Sequence, residues 1–139
     1  MNEGIAPDQL SSGQLVDQFK VIRRLGKGGM GAVYLARDME LGRKVALKVV
    51  LPGALGDREA IERFRFEARI TAKFNHPNIV SIYSVGDFDG APYVALEYVE
   101  GETLHERAEK ERIALKDCFR YAIAIAEAIA EAHAHGVLH

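Results

Sequence analysis

Three closely spaced glycines and one lysine form the part of this chain best suited to chemistry. Gly26, Gly28 and Gly31 follow a G-x-G-x-x-G-x-V pattern, and Lys48 ends a Val-Ala-Leu-Lys run further along. Because glycine has no Cβ, such a segment can turn sharply and bring backbone N–H groups close to phosphate oxygens. The pattern therefore predicts a phosphate-binding loop, with Lys48 as a candidate cation for the same phosphates.

Two kinds of nucleotide site use glycines at this spacing, and the flanking residues distinguish them. In a dinucleotide-binding oxidoreductase fold the glycines join a buried strand to a helix. Here residues 19–25 and 33–36 are both rich in strand-forming types, which predicts a strand, a glycine turn and a second strand. This hairpin and the Val-Ala-Leu-Lys strand resemble the glycine-rich loop and third strand of bacterial serine/threonine protein kinases.

A helix is predicted from about Arg58 to Asn75, with Asp57 as its N-cap. At 100° per residue most of the charged side chains, including Arg65, fall on one arc. An inward apolar stripe is formed by Ala60, Ile61, Phe64, Ala68 and Thr71.

Glu67 falls on the apolar side of this predicted helix, where an unpaired carboxylate would be costly. Lys48 is its expected partner, and the spacing of the two resembles the kinase lysine–glutamate pair, which directs the lysine at the phosphates. The resemblance thus assigns catalytic roles to Lys48 and Glu67. The alternative is that Glu67 reaches water. Phe66 and Ile70 lie on the charged arc, where they could contact a partner.

The resemblance also implies an ATP site. Leu96 occupies the gatekeeper position, and the backbone of Glu97 and Val99 would bind the adenine, with Val33 and Ala46 against its ring. Most of these are also typical core strand residues. The residues assigned to ATP are Leu25, Gly26, Lys27, Gly28, Gly29, Met30, Gly31, Val33, Ala46, Lys48, Leu96, Glu97 and Val99.

The catalytic loop of the family begins with His-Arg-Asp, and the printed sequence ends at His139. By the resemblance, the catalytic aspartate, the metal-binding asparagine and the Asp-Phe-Gly motif would all lie beyond this truncation. Mg²⁺ is expected for the family, but no residue here is assigned to a metal. We expect this polypeptide alone to bind ATP with little or no phosphotransfer, its partners being a protein substrate or the missing helical lobe.

Composition narrows the function classes. The 139 residues, 48% hydrophobic and 27% charged, predict a soluble domain. A net charge of −2 argues against nucleic-acid binding, and a single cysteine suits a reducing compartment, the cytoplasm. No segment has the composition of a signal peptide or a membrane span.

These patterns predict an α+β fold with a kinase-like small lobe, a five-stranded antiparallel sheet with one main helix. A hinge and two helices of an incomplete helical lobe follow. The expected divisions are a mobile arm at 1–18, the small lobe at 19–98, and the hinge and helices at 99–139. The last helix, about 116–135, would expose an apolar face and promote self-association. The alternative function is a catalytically dead, pseudokinase-like binding module.

Overall fold

The computed structural model of this chain describes residues 9–51, 53–54, 56, 58–73 and 75–138. The expected N-cap Asp57, the terminal His139 and the first eight residues of the arm lie outside the described residues. The elements are β1 Leu15–Val16, β2 Phe19–Gly28, β3 Gly31–Asp38, β4 Lys44–Val50, α1 Arg58–Thr71, β5 Ile82–Phe88, β6 Ala91–Glu97, α2 Leu104–Lys110 and α3 Leu115–Ala134.

The six strands form one antiparallel sheet in the order β1-β2-β3-β4-β6-β5. This confirms the α+β fold, with one strand more than expected. The additional strand, β1, pairs Leu15 with Lys20 and Val16 with Phe19. It lies within the arm, 1–18, that was expected to be mobile. Residues 15–16 of this arm form part of the sheet.

The core lies on one face of this sheet, because side chains alternate along each strand. Every second residue of β4 from Val45 to Val49 is fully buried there. The remaining members come from β1, β2, β3, β6 and the segment before β1: Leu10, Val16, Phe19, Val21, Ala32, Tyr34, Ala36, Ala91, Tyr93 and Ala95.

The β5–β6 hairpin turns at Asp89 and Gly90, as the Asp-Gly pair predicts. Both residues have positive φ, 50° and 80°, which is typical of the two-residue turns that match the twist of antiparallel strands. Phe88 pairs with Ala91 across the turn, so the hairpin is closed at its end.

Helix α1 packs against β5 and β6, with Ala68 buried and Phe64 half-buried. Its packed face differs from the predicted one at Arg65, which is half-buried and forms an ion pair of 2.8 Å with Asp87 of β5. Glu67 is exposed instead of lying on the packed side. The predicted apolar stripe does lie on the packed side, since its residues are buried or half-buried, namely Ala60, Ile61, Phe64, Ala68 and Thr71. The ion pair of Arg65 with β5 adds a polar contact to this face that apolar periodicity alone does not reveal.

Helices α2 and α3 follow the sheet and contain no buried residue within the part of the chain that the structure describes. Helix α2 begins with a capping box, in which the Thr103 side chain accepts the Glu106 N–H and the Glu106 carboxylate accepts the Thr103 N–H. These hydrogen bonds satisfy backbone donors of the first turn. The bonds that the Glu106 carboxylate accepts from the Thr103 N–H and hydroxyl also lower the pKa of Glu106.

Candidate nucleotide-binding site

Four of the predicted site residues share the sheet face opposite the core. The register pairs Val33 with Lys48, and Ala46 with Leu96. Directly opposed residues of antiparallel strands project from the same face, and so do residues two apart on one strand. The structure therefore brings Val33, Ala46, Lys48 and Leu96 together on three neighbouring strands.

Two further apolar residues complete this surface and were not predicted as part of the site. Leu35 is paired with Ala46, and Val94 with Lys48. Leu35 is buried, and Val94 is also buried on the strand that leads to residue 97. The signal that could have found them is the two-residue period of a strand, counted from Val33 and from Leu96.

The glycine segment forms a hairpin between β2 and β3, with Gly28 paired to Gly31. At Gly31 a Cβ would lie 2.1 Å from the carbonyl oxygen of Val49, so the base of the hairpin permits only glycine. At Gly26, Gly28 and Gly29 a Cβ would meet no atom within 4 Å. The chain's own packing does not require these three glycines, and the open space beside them fits a ligand that approaches the backbone closely.

The other predicted residues of the hairpin lie on its outer part. Leu25, Lys27 and Met30 are all exposed. Leu25 falls where the register between β2 and β3 shifts, in the interval from Arg24 to Gly26. Such an irregularity bends the strand locally and increases its twist next to the hairpin.

The end of β6 is fixed by its last residue, Glu97, to the residue that precedes β5. The Glu97 N–H donates to the Ser81 carbonyl at 2.8 Å, and the Glu97 carboxylate accepts the Ser81 N–H at 3.0 Å. Further on, Lys44 at the start of β4 forms an ion pair of 3.0 Å with Glu100. Val99, between these two attachments, is exposed.

Lys48 and Glu67 are not brought together. Lys48 is half-buried on β4, whereas Glu67 is exposed on α1, and among the described residues no ion pair joins the two side chains. The backbone carbonyl of Glu67 accepts the Thr71 hydroxyl at 2.9 Å, a contact within the helix. The structure thus shows α1 in a position that leaves Lys48 without this carboxylate.

Neither a cluster of metal ligands nor a membrane-spanning helix is found in the described ranges, 9–51, 53–54, 56, 58–73 and 75–138. Within them no group of three or more histidine, cysteine, aspartate or glutamate residues could hold a metal ion. The donor set expected for Mg²⁺ therefore does not fit these residues. No helix in the same ranges is both long enough and apolar enough to span a bilayer.

Two grooves lie away from the glycine hairpin. One, of about 830 Å³, is mainly apolar and lies between residues 78–80 and helices α2 and α3. The other, of about 460 Å³, lies between α1 and β5 and includes Phe66 and Ile70. Neither is lined by a residue predicted to bind ATP.

Comparison with known proteins identifies the family. The protein kinase domain model matches residues 19–139. The chain belongs to the protein kinase family. Over 123 residues it is 41% identical to the serine/threonine-protein kinase PrkC of Bacillus subtilis, covering 88% of this chain and 19% of that protein. The serine/threonine-protein kinase PknJ of Mycobacterium tuberculosis is 34% identical over 131 residues, or 94% of this chain and 22% of its own length.

Solved kinase structures agree with the fold. The kinase domain of Mycobacterium tuberculosis PknI superposes with a TM-score of 0.84 at 32% identity, covering 94% of this chain and 53% of that one. The resemblance to bacterial serine/threonine kinases and the small-lobe fold are thereby confirmed. The chain spans about a fifth of the length of the curated kinases it matches and about half of the solved kinase domain.

Proposed function

We propose that this chain provides the ATP-binding part of a serine/threonine protein kinase. The observation that carries the proposal is the shared sheet face of Val33, Ala46, Lys48 and Leu96, directly below the glycine hairpin. This face offers an apolar surface for a flat base at one end and an ammonium group at the other. A nucleotide has the same division into an apolar ring and charged phosphates.

In this proposal the adenine lies against Val33 and Ala46, with Leu96 at the back. The Glu97 N–H already donates to Ser81, so Glu97 offers its carbonyl to the base, and Val99 offers its backbone. Gly26, Gly28 and Gly29 leave room for phosphates beside the hairpin backbone. Lys48 attracts the phosphates, and charge-assisted hydrogen bonds of this kind are stronger than neutral ones.

Glu67 acts in this proposal as a positioning residue for Lys48. A rotation of α1 that releases Arg65 from Asp87 would turn Glu67 toward the sheet, since the two side chains lie on different sides of the helix. Helix movements of this kind are a common way to switch an active site. The structure shows the state in which the Lys48–Glu67 pair is not formed.

Phosphotransfer by the 139-residue polypeptide alone is not part of the proposal. Kinases align a hydroxyl with an aspartate and neutralise charge with bound metal ions. Among the described residues no group of side chains could hold a metal ion, and Glu67 forms no ion pair with Lys48. We expect ATP binding without measurable turnover, with a protein substrate engaged only by a complete helical lobe, and we place the protein in the cytoplasm.

The test is calorimetric titration of ATP into the wild-type chain, Lys48→Ala and Lys20→Ala. Lys20 is a matched control because it is an exposed lysine on β2, away from the proposed site. Loss of charge-assisted hydrogen bonds should weaken binding by about tenfold or more in Lys48→Ala and leave Lys20→Ala unchanged. Equal affinities in all three proteins, or steady phosphotransfer abolished by Lys48→Met, would contradict the proposal.

A second candidate, a pseudokinase-like binding module, is favoured by one observation. Phe66 is 63% exposed beside the groove between α1 and β5, where a partner could contact it. In that case Phe66→Asp should abolish capture of the partner in a pull-down while leaving ATP affinity unchanged. Capture that is equal for wild type and Phe66→Asp would argue against this candidate.

A further inference from the structure

The segment 9–18 lies before the part of the chain matched by the kinase domain model, yet it is built into the small lobe. Val16 is fully buried in the core, and Leu10 is nearly so. The Leu10 N–H donates to the Tyr34 hydroxyl at 3.3 Å, and Gly13 and Gln14 exchange backbone hydrogen bonds of 2.8 Å with Val21. Residues 9–18 therefore form a strap that is attached to β2 and β3.

Asp17 connects this strap to a distant strand. It lies in the turn between β1 and β2 with a φ of 50°, and its carboxylate accepts a hydrogen bond from the hydroxyl of Tyr93 on β6. Ser84 of β5 also lies close enough to the Tyr93 hydroxyl to affect its pKa, which it lowers. One tyrosine hydroxyl thus joins the strap to β6, although 76 residues separate Asp17 from Tyr93.

The ring of Tyr93 is held as firmly as its hydroxyl. It packs edge-on against Phe19 with centroids 6.0 Å apart, and it fills the space beside Gly86, where a Cβ would lie 2.4 Å from the ring. Burial, and then the hydrogen bond and charge of Asp17, raise the pKa of Tyr93 above its ordinary value. The hydroxyl therefore stays protonated and remains a hydrogen-bond donor.

Tyr93 lies directly behind the proposed nucleotide site. Its neighbour Val94 faces the other side of β6 and is paired with Lys48. Leu96 lies three residues after Tyr93 on the same strand, and the segment from Glu97 to Val99 follows it. A displacement of β6 at Tyr93 would move Val94, which is paired with Lys48, and would also move the groups proposed to bind adenine.

We propose that Asp17 is a positioning residue, which holds β6 and the segment from Glu97 to Val99 in place through Tyr93. The effect on ATP affinity depends on the function proposed above, whereas the effect on the order of β6 does not. The strap is thus a functional part of the nucleotide site, although none of its residues contacts that site directly.

The test compares three variants of the full 139-residue chain: Asp17→Asn, Tyr93→Phe and Asp89→Asn. Asp89 is a matched control, since it is an exposed aspartate with the same φ of 50° in the β5–β6 turn. Asp17→Asn and Tyr93→Phe should each accelerate amide hydrogen exchange over residues 91–99 by about fivefold or more, because a charge-assisted hydrogen bond is lost. The double variant, Asp17→Asn with Tyr93→Phe, should exchange little faster than either single variant. Asp89→Asn should exchange at the wild-type rate.

ATP affinity gives the readout that a purely structural contact would not change. Measured well below the melting temperature, where each variant is folded by circular dichroism, it should fall by about threefold to tenfold in Asp17→Asn. Unchanged exchange over 91–99, additive effects in the double variant, or a lowered melting temperature with unchanged affinity would overturn the proposal. A wild-type chain that does not bind ATP would refute the nucleotide function, and the exchange rates would then decide the role of Asp17.

Discussion

The sheet and the last two helices contain similar proportions of apolar residues but use them differently. Val45, Leu47 and Val49 on β4 are fully buried, whereas Phe119 on α3 is 62% exposed. Helix α2 depends on its capping box and on ion pairs such as Arg107–Glu111 at 3.0 Å. The sheet therefore supplies most of the folding free energy, and the helices add little beyond their local hydrogen bonds.

This difference shows what an amphipathic pattern can and cannot establish. The apolar residues of α3 have helical spacing, and the helix forms as predicted. A pattern identifies the face that would be buried, but the partner that buries it must come from elsewhere in the structure. Along α3 the described residues supply no such cover beyond a half-buried contact at positions such as Tyr121.

The largest expected effect is in the sheet core. Leu47→Ala should lower the free energy of unfolding by about 2–5 kcal/mol, because it removes buried methyl groups and leaves a cavity. Urea unfolding followed by circular dichroism measures this change. Leu47→Met, which conserves volume, should cost less than about 1.5 kcal/mol. A loss below about 1 kcal/mol in Leu47→Ala would mean that the sheet is not the stable part of the molecule.

A backbone position next to the core should give the second largest effect. Gly86→Ala places a Cβ 2.4 Å from the Tyr93 ring, so the ring must move within a packed core, at a cost of about 1–3 kcal/mol. Gly28→Ala is the control, since its Cβ would meet open space. Thermal melting should separate the two variants, and equal melting temperatures would show that β5 and β6 are loosely packed.

The third effect depends on pH. The raised pKa of Tyr93 means that the unfolded state loses its phenolic proton first, near the ordinary value of 10.0. The contribution of Tyr93 is thus fully present below that pH, and stability falls above it by up to about 1.4 kcal/mol per pH unit. Urea unfolding at about pH 8 to about 11 should show that Tyr93→Phe lacks this component. Parallel decreases in both proteins would exclude Tyr93 as its source.

The smallest effect on stability is expected in α3. Phe119→Ser should change the free energy of unfolding of the monomer by less than about 0.5 kcal/mol, because the side chain is already exposed. Its effect should appear in association, so that sedimentation at high concentration detects fewer oligomers than for wild type, while Lys116→Ser serves as a control. A strongly destabilised Phe119→Ser monomer would show that α3 is buried in solution.

Sequence patterns located most of the sheet. Runs of strand-forming residues coincide with β4 and β5, and an Asp-Gly dipeptide, a common hairpin signal, forms the turn at Asp89-Gly90. These segments are set by local chemistry, namely strand-forming runs and a turn that requires positive φ. The shared face of Val33 and Lys48 then follows from the register of neighbouring strands.

Contacts between residues far apart in sequence could not be predicted from these local patterns. The half-buried position of Arg65 comes with its ion pair to Asp87, which lies on another element, 22 residues further along the chain. Strand β1 has only two residues and no periodicity to detect, and the contact of Asp17 with Tyr93 leaves no local pattern. The Lys48–Glu67 spacing indicated a possible pair, but the position of the helix decides whether the pair forms.

The close contact between Gly31 and the Val49 carbonyl has a consequence for protein engineering. A library randomised over positions 27–30 would yield many folded clones, because a Cβ at Gly28 or Gly29 meets open space and the residues at 27 and 30 are exposed. Randomising position 31 in the same library would select a single amino acid. The tip can therefore be diversified for new ligands while one fixed position preserves the fold.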